Sequence, residues 1–280
     1  MKDKVLVVVG YYGGYGGSFF SNVLRKSLNK DSLNIDSINN RNEYFFKTEV
    51  LGDERYSLDA VMKAYDQGFN SMLNVTFIDS TNERMHWVKT LKSIYNECYS
   101  EDRLTFIENL KKYYKKKLNL NQRFNVTNMH YSRPYEGFSI HEVYENTVFF
   151  LLKADSFKHH LMFDLLLDIK HNNFQYPEFI ERSLDTLSTS NFEYFNQPFD
   201  NCYDLDAGKM FFEYEKNNVD EVEKKVIEAL DFKISLDKPK ILDYCKSNIK
   251  IMNEFLSIDS EKSSFLQVIQ AARKKLKSLL

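Results

Sequence analysis

The chain has 280 residues and a formal net charge of −2, enough length for one large domain or two small ones. A chain so near neutrality lacks the positive field on which general binding of nucleic acids or other polyanions rests. Its three cysteines, Cys98, Cys202 and Cys245, show no CxxC or Cys/His ligand spacing; they indicate neither a disulfide framework nor a zinc site and fit a reducing, cytoplasmic compartment.

The run Val5 to Val9 is β-branched and continuous, and 4–9 is predicted to be a strand buried on both faces. It is too short for a signal peptide and leads straight into glycines. No stretch approaches the roughly 20 apolar residues of a membrane span. Residues 18–29 then read as a helix, with Phe19, Phe20, Val23, Leu24 and Leu28 at helical spacing and Ser18 placed to cap it. Residues 31–53 are aperiodic and predicted as loop. A helix over 58–73, a short strand over 74–78 and helices over 83–98 and 101–118 follow, the last with a lysine-rich face of the kind that is usually solvated.

A second strand is predicted over 123–129, ending at His130, and a third over 147–152. Helices are expected over 156–169 and 177–187, and a fourth short strand over 209–214. The helix over 219–230 is expected to carry Asp220, Glu221 and Glu223 in its first turn, where carboxylates suit the helix dipole. Helices over 238–256 and 261–279 close the chain. No internal repeat and no Gly-, Pro- or Ser-rich linker breaks the sequence. The expectation is one domain over 1–280 with a C-terminal helix in 257–280. Strands alternating with long helices predict an α/β class: a central, mostly parallel sheet flanked by helices.

The segment Gly10 to Gly17 holds five of the nine glycines in the chain. Clustered glycines let a backbone take left-handed turns and approach a ligand closely. The helix that follows presents unpaired N–H groups and a positive dipole end, so strand, loop and helix together form an anion cradle. The plainer alternative is a tight strand-to-helix turn with no ligand. The Gly-Lys-Ser/Thr ending of the Walker pattern is absent. So is the acidic strand end that accompanies the dinucleotide pattern GxGxxG.

Three segments, taken in order, resemble the P-loop sulfotransferases, which move a sulfuryl group from 3′-phosphoadenosine 5′-phosphosulfate to an acceptor. The first is Tyr15-Gly16-Gly17-Ser18-Phe19-Phe20, which stands where that family has its loop around the 5′-phosphosulfate. The second is Thr127-Asn128-Met129-His130, similar to the strand end whose histidine takes the acceptor's proton. The third is Val148 to Lys153, then Ala154-Asp155-Ser156 and a helix, similar to the strand and helix that hold the donor's 3′-phosphate. A weaker echo is Met210 to Tyr214, where the family has a short strand before a helix.

The resemblance implies a P-loop-type α/β fold and 3′-phosphoadenosine 5′-phosphosulfate as co-substrate, with no metal. It implies that Gly14, Gly16, Gly17, Ser18 and Phe19 cradle the 5′ end, that Lys153 and Ser156 hold the 3′-phosphate, and that His130 is the catalytic base. A histidine titrates near the operating pH, as that role requires; the alternative is a loop histidine without catalytic duty. The family's usual lysine, lysine and serine are replaced by Tyr15, Asn128 and Leu161. Lys158, His159 and His160 are other candidates beside Ser156. The acceptor expected is a small molecule or a glycan, with no nucleic acid and no membrane span. Two other readings stay open: a non-catalytic sulfotransferase-like binding protein, and a P-loop small-molecule kinase, which would need magnesium.

Overall fold

The structure is a computed structural model that describes residues 4–11, 15–28, 58–68, 92–117, 123–130, 146–171 and 201–278. Four strands, β1 (Val5–Tyr11), β2 (Phe124–His130), β3 (Thr147–Lys153) and β4 (Cys202–Asp206), form a parallel sheet in the order β2-β1-β3-β4. Helices flank it, so the α/β class with a parallel sheet is as the sequence predicts. The two inner strands are the two continuous apolar runs. Every residue of β3 is buried, and so is β1 from Leu6 onward. Strands covered on both faces have no solvent side on which polar residues would alternate.

The described helices are α1 (Gly17–Leu28), α2 (Leu58–Gln67), α3 (Arg103–Lys117), α4 (Phe157–His171), α5 (Ala207–Phe212), α6 (Lys216–Leu230), α7 (Lys238–Leu256) and α8 (Phe265–Lys277). A further helical segment covers 92–98. Packing divides the chain into two compact units that interleave in sequence: Met1–Gly10 with Leu24–Phe149, and Tyr11–Val23 with Phe150–Leu280.

In the first unit, Val5 N donates to Arg123 O at 2.8 Å and Leu6 N to Asn146 O at 2.9 Å, which ties the start of β1 to the residues that lead into β2 and β3. Arg25 on α1 donates to Val126 O on β2 at 2.9 Å. Tyr65 on α2 stacks on the buried Phe106 of α3, ring centroids 4.2 Å apart. Asp102 caps α3, its carboxylate accepting from Thr105 N at 2.8 Å.

In the second unit, α5 packs against α4, α6 and α7, and α7 in turn against α4 and α8. Phe163, Phe211 and Phe212 are fully buried among them. Phe163 and Phe212 meet edge to face with centroids 4.7 Å apart, a geometry aromatic quadrupoles favour.

Three sequence expectations need correction here. Residues 209–214 are not a strand: β4 ends at Asp206 and α5 follows at once. Asp206 accepts from Lys209 N at 2.9 Å, and this cap turns the chain into a short helix that buries Met210, Phe211 and Phe212. The short-strand echo at Met210 to Tyr214 falls with it. The helix α6 begins at Lys216, so Asp220, Glu221 and Glu223 lie beyond its first turn. Asp220 and Glu223 instead meet Lys238 at 2.8 and 2.7 Å. The last helix starts at Phe265 rather than 261, because Ser264 and Gln267 bond reciprocally, Ser264 N to Gln267 Oε1 and Gln267 N to Ser264 Oγ, as a capping box does. The expectations for 31–53, 69–78, 83–91 and 177–187 lie outside the described residues.

Candidate functional site

The glycine-rich segment joins an inner strand of the parallel sheet to a helix, β1 to α1. Gly14 lies outside the described residues. Gly16 holds φ +72°, a left-handed conformation that L side chains resist. A Cβ there would also stand 3.0 Å from Phe211 Cε2 and 3.3 Å from Tyr244 Cε1. At Gly17 a Cβ would fall inside the ring of Tyr11. Both glycines therefore admit aromatic side chains of the protein itself close to the backbone.

The helix begins one residue earlier than expected, with Phe20 N donating to Gly16 O at 2.9 Å. Ser18 is thus inside the first turn rather than its cap. It is exposed, and its hydroxyl lies 3.0 Å from the Tyr11 hydroxyl. Phe19 stacks face to face on Tyr244, centroids 4.1 Å apart and planes 10° from parallel, and both rings are half-buried. Ser21 Oγ donates to Gly17 O at 2.7 Å and stiffens the turn.

Tyr15, where the family has lysine, is fully buried. Its ring stacks on Phe163, centroids 4.2 Å apart. Its hydroxyl hydrogen-bonds His160 Nδ1 on α4. His160 Nε2 in turn stands 3.6 Å from Asp164 Oδ2, one helical turn on. Burial pushes the His160 imidazole down to about 4. Burial, and secondarily Asp168, pushes the Asp164 carboxyl up to about 7. This Tyr15–His160–Asp164 line is invisible in the sequence, where its first two members are 145 residues apart and no motif pairs them.

Lys153 closes β3 and is buried, and its ammonium lies 2.6 Å from Asp204 Oδ2 on β4. Ser156 caps α4, its Oγ accepting from His159 N at 3.1 Å, which uses the serine as acceptor and leaves its O–H to donate. The surroundings are acidic. Burial raises the Asp155 carboxyl above its ordinary value, and the Asp206 carboxylate beside it and nearby Asp204 raise it further. Carboxylates in this position oppose a phosphate.

The other basic candidates on α4 are already engaged. Lys158 donates to Glu261 O at 2.7 Å. His159 is buried, held at about 4 mainly by that burial, and packed where Gly208 leaves room for its ring. Both histidines are neutral near pH 7, so neither supplies a cation for a phosphate. Leu161 is core.

The structure brings Gly16, Gly17, Ser18, Phe19, Lys153 and Ser156 into one compact unit. His130 ends β2, as predicted, in the other unit, and its side chain and that of Asn128 lie outside the described residues. Among the described residues no group of three or more His, Cys, Asp or Glu is arranged to hold a metal, and no helix is long and apolar enough to cross a membrane.

No family model, curated protein or solved structure matches the chain.

Proposed function

We propose that this chain is a sulfotransferase-like protein that takes the 5′ end of 3′-phosphoadenosine 5′-phosphosulfate at the start of α1. The observation that carries this reading is the junction itself. An inner strand of a parallel sheet runs through a glycine turn, with Gly16 at φ +72°, into a helix whose first turn bears the exposed Ser18. Ligands of open parallel sheets bind beyond the carboxyl ends of the strands, and the start of a helix favours an anion there.

The two ends of the donor fit unequally. At the 5′ end, the backbone amides of Gly17 and Phe19 and the Ser18 hydroxyl are donors of the kind a phosphosulfate needs. At the 3′ end, the Lys153 charge is met by Asp204, with Asp155 and Asp206 close by. Lys153 holds the 3′-phosphate only when that pair opens, with Ser156 donating its hydroxyl. When bound, the donor supplies the sulfuryl group, and His130 is the residue proposed to take the acceptor's proton. The acceptor proposed is a small molecule or a glycan.

The Lys153–Asp204 pair specifically favours a second reading, a non-catalytic protein that keeps the fold and binds an anion without transferring a group. Calorimetric titration with 3′-phosphoadenosine 5′-phosphate, against adenosine 5′-monophosphate as control, tests both. Micromolar binding of the bisphosphate that exceeds the monophosphate by tenfold or more supports the two-ended donor site. Equal affinities point to the single anion site of the second reading. No binding of either at millimolar concentration overturns both.

A further inference from the structure

Tyr15 is fully buried two residues before α1. Its ring is locked on Phe163 at 4.2 Å, and its phenol reaches across to α4. The phenol and His160 Nδ1 share a hydrogen bond whose direction the ring tautomer sets, and Nε2 faces Asp164 Oδ2 at 3.6 Å. Tyr15, His160 and Asp164 are all held in place by elements of the same compact unit. Tyr15 directly precedes Gly16, whose left-handed conformation starts α1. Any movement of the phenol is therefore passed to the first amides of the helix.

We propose that Tyr15, His160 and Asp164 form a buried latch that fixes the start of α1 against α4, with His160 and Asp164 acting as positioning residues for the anion site there. This rests on the reading above for the ligand, but not for the latch itself. The phenol donates to an unprotonated Nδ1 and accepts from a protonated one, so the pair stays bonded in either state of the ring. Asp164 faces His160 along α4, and Asp168 faces Asp164. The adjacent His159 meets Glu213 at 3.4 Å, with Lys158 and Lys209 near it from α4 and α5. The Glu261 backbone carbonyl, on the approach to α8, accepts from Lys158.

The test reads amide hydrogen exchange at residues 15–18 without ligand, together with affinity for 3′-phosphoadenosine 5′-phosphate. Tyr15→Phe keeps the ring on Phe163 and removes only the hydroxyl. One hydrogen bond corresponds to a change of up to about tenfold, so exchange at these amides is expected to rise several-fold to about tenfold while the far-ultraviolet circular dichroism stays native. His160→Gln offers a carboxamide oxygen to the same phenol. It should hold exchange near the wild-type level. Unchanged exchange in Tyr15→Phe, or a rise in His160→Gln as large as in Tyr15→Phe, overturns the latch. If exchange responds and affinity falls in step, the positioning role stands. Exchange that responds while affinity in a binding-competent protein does not overturns that role. If the wild type binds no bisphosphate, the ligand reading fails while exchange still decides the latch.

Discussion

The ring of Tyr11 occupies the space that a Cβ on Gly17 would need. The strand that leads into the turn thus folds its last side chain back over the first residue of the helix. The pair closes a short circuit of packing, with the Tyr11 hydroxyl 3.0 Å from Ser18 Oγ.

Gly17→Ala should therefore destabilise the protein by about 1–3 kcal/mol, the usual cost of overpacking. Chemical denaturation of the single variants and of the pair with Tyr11→Ala measures it. The expected signature is coupling: once the ring is gone, the added methyl costs much less. Additive effects would mean that the ring and Gly17 are not in contact.

Gly16→Ala should destabilise by about 1–2 kcal/mol from the left-handed backbone alone, and by more because Phe211 Cε2 stands 3.0 Å from the added carbon. The change in denaturation midpoint at constant slope checks it. A neutral outcome would contradict the φ of +72° assigned to this residue.

How much of this is legible in sequence depends on how local the cause is. The strands β1 and β3 are readable because buried parallel strands are continuous apolar runs, and α7 because its periodicity and the Asp237 cap coincide. The segment 207–212 is ambiguous, since six residues with mostly apolar side chains suit a strand or a helix equally, and its fate is settled by the Asp206 cap and by what it packs against. At the candidate site, the glycines themselves announce a strand-to-helix turn. What presses on them does not: Phe211 and Tyr244 arrive from the far end of the chain. Lys153 is readable as a basic strand end, but its partner Asp204 on the next strand is not.

Asp204→Asn removes the partner of a buried ammonium. Lys153 is well covered but the Asp204 side chain is 57% exposed. The cost is accordingly that of a half-screened pair, about 1–2 kcal/mol, below the figure for fully buried ones. If Lys153 serves the 3′-phosphate, the same change removes a competing carboxylate, and affinity for 3′-phosphoadenosine 5′-phosphate should rise several-fold. Unchanged or weaker binding would remove Lys153 from the site.

The buried titratable groups set opposite trends of stability with pH. Asp164, raised from 3.8 to about 7, contributes stability that is complete below pH 3.8 and is lost as pH rises through 7, because the unfolded carboxyl ionises first. His159 and His160, lowered from 6.5 to about 4, contribute stability that is present above pH 6.5 and is lost as pH falls through 4. Melting temperature across pH 4–8 should fall at both ends. Asp164→Asn should flatten the alkaline limb and His160→Gln the acid limb. A profile unchanged in Asp164→Asn would place that carboxyl in solvent.

Divalent ions separate sulfuryl transfer from a kinase reading. Binding of 3′-phosphoadenosine 5′-phosphate should be the same with excess chelator as with millimolar magnesium, since no metal is needed to bridge its phosphates. A site that binds adenosine triphosphate only with magnesium would instead favour phosphoryl transfer.

Amide chemical shifts recorded during titration with 3′-phosphoadenosine 5′-phosphate test the central claim most directly. The account predicts that Gly16, Gly17, Ser18 and Phe19 shift with one saturating curve and ahead of all distant amides. Binding that leaves these four unmoved, or that moves only amides elsewhere, would contradict an anion site at the start of α1.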